Sequence, residues 1–275
     1  MFTFASNSLE MKTILVPVGS SKNAKSHLQY AVDFAKAFGA KIYIVQIYNV
    51  YTKAGTMIKV DHILERESKA FLDAHVASIE TQGVEVYTRT FKGKLINTLE
   101  KVCNALDVDL IILEPRTNSI LDEVYLGKTS GKIIKQTQIP ALIVPEGYVY
   151  QPINKILLAL KSAIVKKQGA LSPLLEIKNQ FKAVVNILLV KTPFHVKLDF
   201  ELNSEIKDMI SNTTIAESST TFQAVLEHYK SNEPDLLCVV RRKRGFFKKL
   251  WEENTILKKD FHSTKLPVLV LSGLK

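Results

Sequence analysis

The chain has 275 residues, of which 46% are hydrophobic and 23% charged, a balance typical of a globular protein and not of a disordered or fibrous one. No apolar run approaches the roughly 20 residues of a transmembrane helix, and the first residues lack the charged start and long apolar core of a signal peptide. The formal net charge of +10 suggests acidic partners, but the lysines are spread along the whole chain, as expected for a solvated basic surface.

The first half alternates short apolar runs with longer segments of helical period. Apolar runs occupy residues 13–19, 41–47 and 107–113. Between them, Ser26–Gly39 carries an apolar stripe and closes on a glycine, and Leu95–Leu106 carries a second stripe. Strands that are apolar on both faces and separated by such helices predict a parallel sheet with helices on both sides.

The second half repeats the first, which indicates two tandem domains. TILVPVG recurs as KILLALK, KIYIVQI as VVNILLV, DVDLIIL as EPDLLCV, and QIPALIV as KLPVLVL, in the same order. We expect an N-terminal extension at 1–10, a first domain at 11–147 and a shorter, more divergent second domain at 153–275. Doubly wound sheets bind ligands beyond the carboxyl ends of their strands, so the segments after the first and fourth strands are the ones to inspect.

Gly127, Lys128 and Thr129 spell the end of a phosphate-binding P-loop. That loop needs another glycine five residues earlier, so that successive main-chain N–H groups can surround the phosphates. The residue there is Asp122, whose negative charge would repel phosphate, and the preceding apolar run ends well upstream at Leu113. The segment is therefore not a P-loop of this kind.

Both ends of the first half resemble the universal stress protein family. The resemblance is carried by MKTILVPVGSSKNAKSHLQYAVDFAKAFGAKIYIVQIYN at 11–49 and by LGKTSGKIIKQTQIPALIVP at 126–145, and it extends, less strongly, to the second half. It implies two tandem flavodoxin-like α/β domains, each a doubly wound, five-stranded parallel sheet ordered 3-2-1-4-5, related by a pseudo-two-fold axis. Some members of this family bind ATP or AMP, and others bind no nucleotide and act in stress responses through partners.

The nucleotide-binding pattern of the family is degraded in this chain. Binding members carry an aspartate after the first strand and G-x2-G-x9-G-[ST] after the fourth. Here Gly19 replaces the aspartate, Glu114 and Thr117 replace the first two glycines, Gly127 remains, and Lys128 replaces the serine. A carboxylate at Glu114 opposes binding of a phosphate by electrostatic repulsion.

The resemblance places the remnant of the nucleotide site on a small set of residues. Two interpretations stay open: the remnant holds an anion weakly, or Gly127 only serves a tight turn into the next helix while Lys128 is solvated. No cofactor is expected beyond weak ATP or AMP binding. The residues of this degenerate site are Gly19, Ile47, Thr117, Gly127, Lys128 and Thr129.

One dense cluster of basic and aromatic residues follows the fourth strand of the second half, in RRKRGFFKKLWEENT at 241–255. It is a candidate site for an anionic partner, such as a nucleic acid, a membrane surface or an acidic protein. Alternatively, its aromatic residues pack between the domains, because Phe247, Leu250 and Trp251 share one helical stripe. The basic members are Arg241, Arg242, Lys243, Arg244, Lys248 and Lys249.

Catalysis has little support in the sequence. The six histidines show no paired metal-ligand spacing, and no G-x-S-x-G motif occurs. Cys103 and Cys238 fall in apolar segments and are expected to be buried thiols in a reducing cytoplasm. We therefore expect a cytoplasmic, non-enzymatic stress-response module that binds or signals through an unidentified protein partner. The alternatives are an ATP- or AMP-binding stress protein and an adaptor acting through the basic cluster.

The last apolar run of each half is expected to join the halves. In the order 3-2-1-4-5 the fifth strand lies at an edge, and a bare apolar edge promotes aggregation unless it is covered. Family dimers pair these strands across a two-fold axis, as the resemblance implies. We therefore predict an intramolecular pseudo-dimer in which residues 141–144 lie antiparallel to residues 268–271.

Overall fold

The structure, a computed structural model, covers both halves of the chain. The residues it describes are 10–19, 23–49, 57–115, 128–165, 167–193, 195–202, 204–218, 221–241 and 266–272.

The described part of the first half alternates strands and helices. The first helix (Ala24–Phe38) ends as the sequence predicts, followed by Gly39 in the left-handed conformation (φ 63°), whose N–H donates a hydrogen bond to the carbonyl of Lys36. The strands are β1 (Thr13–Pro17), β2 (Lys41–Tyr48), β3 (Val86–Lys92), β4 (Leu110–Leu113) and β5 (Ala141–Ile143), and the helices are α1 (Ala24–Phe38), α2 (Met57–Val76), α3 (Leu95–Ala105) and α4 (Lys128–Gln136).

The second half repeats this order of strands, with shorter helices after its first and second strands. The 20-residue α2 of the first half corresponds to the six-residue α6 of the second, which is where the second copy has lost residues. The strands are β6 (Lys155–Leu160), β7 (Val184–Lys191), β8 (Asn212–Glu217), β9 (Leu236–Arg241) and β10 (Val268–Ser272), and the helices are α5 (Ser172–Phe181), a 3₁₀ helix (Lys197–Phe200), α6 (Ser204–Met209) and α7 (Thr221–Asn232).

The strands form one continuous sheet in the order β3-β2-β1-β4-β5-β10-β9-β6-β7-β8. Within each half all neighbours are parallel and follow the order 3-2-1-4-5, so the predicted doubly wound α/β fold is confirmed. The halves meet where β5 and β10 pair antiparallel, with Leu142 opposite Leu269. These are the two strands that the sequence analysis expects to pair, and neither is left as a bare edge.

The central strands are buried on both faces because helices cover both sides of the sheet. Every residue of β4 and β9 is buried. Along β1, Ile14 and Val16 belong to one core while Leu15 belongs to the other, and each core contains residues of both halves. None of the described helices is long and apolar enough to cross a membrane.

A carboxylate at the same place in each half ties the fourth strand to the first. Asp109 accepts hydrogen bonds from two main-chain N–H groups at the start of β1, at 2.8 and 2.9 Å. Asp235 accepts two from the start of β6, at 2.7 and 2.9 Å. These aspartates are the first residues of the repeated DLIIL and DLLCV, so the repeat preserves this contact as well as the apolar core.

Two helices extend the contact between the halves beyond the strands. The ring of Phe181 on α5 lies 6.5 Å from that of Phe34 and 5.7 Å from that of Phe38, both on α1. The side chain of Gln180 donates a hydrogen bond to the carbonyl of Ala37. We call the pairing of β5 with β10 and of α1 with α5 the seam.

The segment between the two predicted domains is anchored on the first half. Tyr148 and Tyr150 meet the buried ring of Tyr30 edge-on, at centroid distances of 6.0 and 5.7 Å. Val149 between them points into solvent and is 74% exposed. The connection is therefore packed against α1 through alternate residues.

Candidate ligand crevice

A crevice opens at the carboxyl ends of β1, β2 and β4, where ligands bind in doubly wound sheets. Its volume is about 260 Å³. The strand order reverses between β1 and β4, so the loops after these strands diverge and leave this space. Most of its walls are apolar, and they are formed by Val18, Ile47, Leu95, Leu113 and Ile133.

The polar groups of the crevice come from α1, from the end of β4 and from α4. His27 lines it from α1 and is 7% exposed. Ser130, near the start of α4, is 4% exposed, and its hydroxyl donates a hydrogen bond of 2.8 Å to the carbonyl of Glu114. Glu114 is half-buried and also lines the crevice. The start of α4 is thus tied to the end of β4.

The structure brings part of the predicted nucleotide site together. Gly19 and Ile47 both line the crevice. The described part of α4 starts at Lys128 and lines the crevice through Ser130 and Ile133. Thr117 and Gly127 lie outside the described residues, as do the side chains of Lys128 and Thr129, so their part in the site stays a prediction.

Sequence reasoning missed His27 and Ser130 as crevice residues. His27 is one of six histidines without paired metal-ligand spacing, although it follows Ala24 at a spacing of three on the face of α1 that meets the strand ends. That spacing was the available signal. The sequence around Ser130 carries no such signal, because the position of this residue in the crevice depends on how α4 packs.

The described lining of the crevice includes neither of the two cysteines of the chain. The described residues contain no group of three or more His, Cys, Asp or Glu side chains that could hold a metal ion. Cys103 and Cys238 are free and buried, as predicted. Burial raises the pKa of Cys103 to about 12, and it also raises the pKa of Cys238. Both thiols are therefore protonated and poor nucleophiles.

The corresponding edge of the second half is covered by its own chain. After β6, the N–H of Ala163 donates a hydrogen bond of 2.7 Å to the carbonyl of Asp199 in the 3₁₀ helix. Ser162 and Ala163 are both buried. That helix lies against the carboxyl end of β6, whereas the segment after β9 lies outside the described residues. Within the part of the chain that the structure describes, we assign the candidate site to the first half.

One member of the basic cluster lies in the described residues. Arg241, the last residue of β9, is 5% exposed, and its guanidinium bonds to the main chain of the first half. It is therefore not presented to an external anion. The other members, Arg242, Lys243, Arg244, Lys248 and Lys249, lie outside the described residues.

Comparison with known proteins agrees with this fold. Residues 10–145 match the universal stress protein family. A universal stress protein of Methanocaldococcus jannaschii is 23% identical over 138 residues, 48% of this chain and 81% of its own length. A universal stress protein from Archaeoglobus fulgidus has a TM-score of 0.70 at 19% identity, over 96% of this chain and 100% of its own. A Pseudomonas aeruginosa protein of unknown function has a TM-score of 0.57 at 15% identity, over 95% of this chain and 92% of its own.

The solved structures show that the fold extends over both halves, because each similarity spans nearly the whole of this chain. The family assignment rests on the N-terminal domain, which contains the crevice. The first half of the chain, residues 10–145, thus belongs to the universal stress protein family.

Proposed function

We propose that the chain is a non-enzymatic binding module of the stress response, which acts through a protein partner and binds ATP or AMP at most weakly. The observation that carries this proposal is the composition of the first-half crevice. It is small and mostly apolar, and at its mouth a glycine stands where nucleotide-binding members of the family have a carboxylate.

Two features of the crevice weaken binding of a nucleotide. Gly19 offers no side chain to the ribose hydroxyls, so a ribose would lose hydrogen bonds to water without replacing them. Glu114 places a carboxylate near the expected phosphates, and two like charges about 4 Å apart repel by about 1 kcal/mol even in water. Both effects lower the affinity of the crevice for a nucleotide.

The cytoplasm is the compartment that best suits this protein. Cys103 and Cys238 are both free thiols and both buried. Unpaired cysteines of this kind are common in proteins of reducing compartments.

A second candidate is an ATP- or AMP-binding stress protein that uses the remnant site. It is supported by Gly19 and Ile47, which line one crevice together with the first turns of α4. Helix N-termini favour anions through their free N–H groups. The adaptor function through the basic cluster depends on Arg242–Lys249, outside the described residues.

Titration calorimetry with ATP and AMP, each with Mg²⁺, distinguishes the first two candidates. We expect no dissociation constant below about 1 mM, which corresponds to about −4 kcal/mol, and no phosphate release. The double variant Gly19→Asp with Glu114→Gly should bind more tightly, because it restores the carboxylate and removes the repulsion. Lys161→Asp is the matched control, since it puts an aspartate at the corresponding position of the covered second half. A micromolar constant for the unmodified chain would instead support the second candidate.

A further inference from the structure

A buried arginine of the second half holds the end of a helix in the first half. The guanidinium of Arg241 donates hydrogen bonds to the carbonyls of Ile134 and Thr137, the second at 2.6 Å. Ile134 belongs to the last turn of α4 and Thr137 directly follows the helix. Both carbonyls therefore lie at the end where the last C=O groups of a helix lack partners within the helix. Arg241 is therefore a C-terminal cap that crosses the seam.

The surroundings of this contact explain why an arginine occupies the position. Burial lowers the pKa of Arg241, because the charged guanidinium is removed from water. The negative end of the α4 dipole and two carbonyl acceptors offset this cost. The planar fork of an arginine reaches two acceptors at once, which a lysine cannot do with the same geometry. A second contact supports the same segment, since Ser272 of β10 donates a hydrogen bond of 2.6 Å to Gln138.

The other end of α4 forms part of the crevice wall. Ser130 and Ile133 line the crevice, and the Ser130 hydroxyl fixes the helix to the carbonyl of Glu114 at 2.8 Å. α4 has nine residues, so its crevice end and its capped end are only about two turns apart. A packed helix of this length moves as one body and does not deform continuously.

We propose that Arg241 is a positioning residue that couples the first-half crevice to the second half. A molecule that occupies the crevice displaces α4, and the displacement reaches the end of β9 through the guanidinium. By thermodynamic reciprocity, a change at the end of β9 alters the affinity of the crevice. The proposal rests on the crevice being the ligand site, so its test uses a covalent occupant and does not depend on a particular ligand.

Hydrogen exchange of the full chain, measured by mass spectrometry, tests this coupling. Gly19→Cys places an accessible thiol in the crevice, and alkylation with a bulky maleimide fills the space. Cys103 and Cys238 are 2% and 0% exposed, so the introduced thiol is the one expected to react. The adduct is made in three backgrounds: native Arg241, Arg241→Lys and Arg241→Gln. The peptides compared contain residues 130–137 and 236–241.

With native Arg241, the adduct should change the rate of amide hydrogen exchange in both peptides by about fivefold or more, which is the lower range of allosteric coupling. With Arg241→Lys or Arg241→Gln, the change should remain in 130–137 and disappear from 236–241. The same adduct at Glu67→Cys, on the exposed face of α2, should affect neither peptide. An unchanged β9 peptide with native Arg241, or a change that survives both substitutions, would overturn the coupling. Arg241→Lys decides the result if Arg241→Gln does not fold.

Discussion

Glu176 should make the stability of the protein depend on pH near neutrality. This residue lies on α5 of the second half and is half-buried at the seam. Burial, followed by the charge of Asp109, raises the pKa of Glu176 to about 7 from its usual 4.5. A hydrogen bond from the main chain of Met11 lowers this pKa, and Glu10 raises it slightly. Three carboxyl groups thus meet where α5 approaches the start of β1.

The direction of the effect follows from the raised pKa. Folding favours the protonated form of Glu176, so its stabilising contribution is complete below about pH 4.5 and is lost as the pH rises through about 7. The difference between these values corresponds to at most about 3 kcal/mol, because one pH unit of pKa is worth about 1.4 kcal/mol. Solvent screening at a half-buried group reduces this to about 1–2 kcal/mol.

The substitution Glu176→Gln removes the charge and keeps an oxygen that accepts the hydrogen bond from Met11. Urea unfolding should show the variant more stable than the native chain by about 1–2 kcal/mol at pH 8, with little difference at pH 4. Glu67→Gln, an exposed carboxyl on α2, is the matched control and should show no such dependence on pH. Equal effects of Glu176→Gln at both pH values, or a loss of stability at pH 8, would refute the reasoning.

Two further predictions concern the backbone and the seam. Lys182 adopts the left-handed conformation (φ 53°) directly after α5, at the position that Gly39 occupies after α1. Lys182→Gly should therefore raise the free energy of unfolding by about 0.5–1 kcal/mol in a urea titration. The reciprocal substitution Gly39→Lys should lower it. Leu142 is fully buried opposite Leu269, so Leu142→Lys should separate the halves or lower stability by several kcal/mol, about the cost of burying an unpaired charge. Light scattering and urea titration measure the effect of Leu142→Lys on the joining of the halves and on stability. Ile63→Lys, at an exposed position, should not reproduce it.

The sequence predicted the buried strands well and missed the edge strands. The four apolar runs of each half became the strands next to other strands on both sides, where both faces are covered. β3 and β8 each pair with a neighbouring strand on one side only. Tyr87 on β3 is 37% exposed, and Ile215 on β8 is 59% exposed. Such strands have no continuous apolar run, so periodicity alone does not reveal them. The number of strands per half came from the family resemblance.

Site residues were predictable where strand ends determined their position. Gly19 and Ile47 are the last residues of the first two apolar runs. They therefore lie near the carboxyl ends of their strands, where the crevice of a doubly wound sheet forms. The contact of Arg241 with Ile134 and Thr137 joins residues more than a hundred positions apart. It depends on the antiparallel joining of the halves, which brings the end of β9 to the end of α4. Local sequence carries no signal for such a contact.

The asymmetry between the halves separates what the fold requires from what this protein has added. Asp109 and Asp235 occupy the same position in both copies because each accepts main-chain hydrogen bonds at the start of the first strand of its half. Aligning the repeat on these aspartates places Pro115 opposite Arg241, so the fold does not require an arginine at the end of the fourth strand. The half in which the 3₁₀ helix lies against the end of the first strand supplies the cap, and the half that contains the described crevice receives it. This arrangement is expected if the second copy has exchanged ligand binding for control of the first.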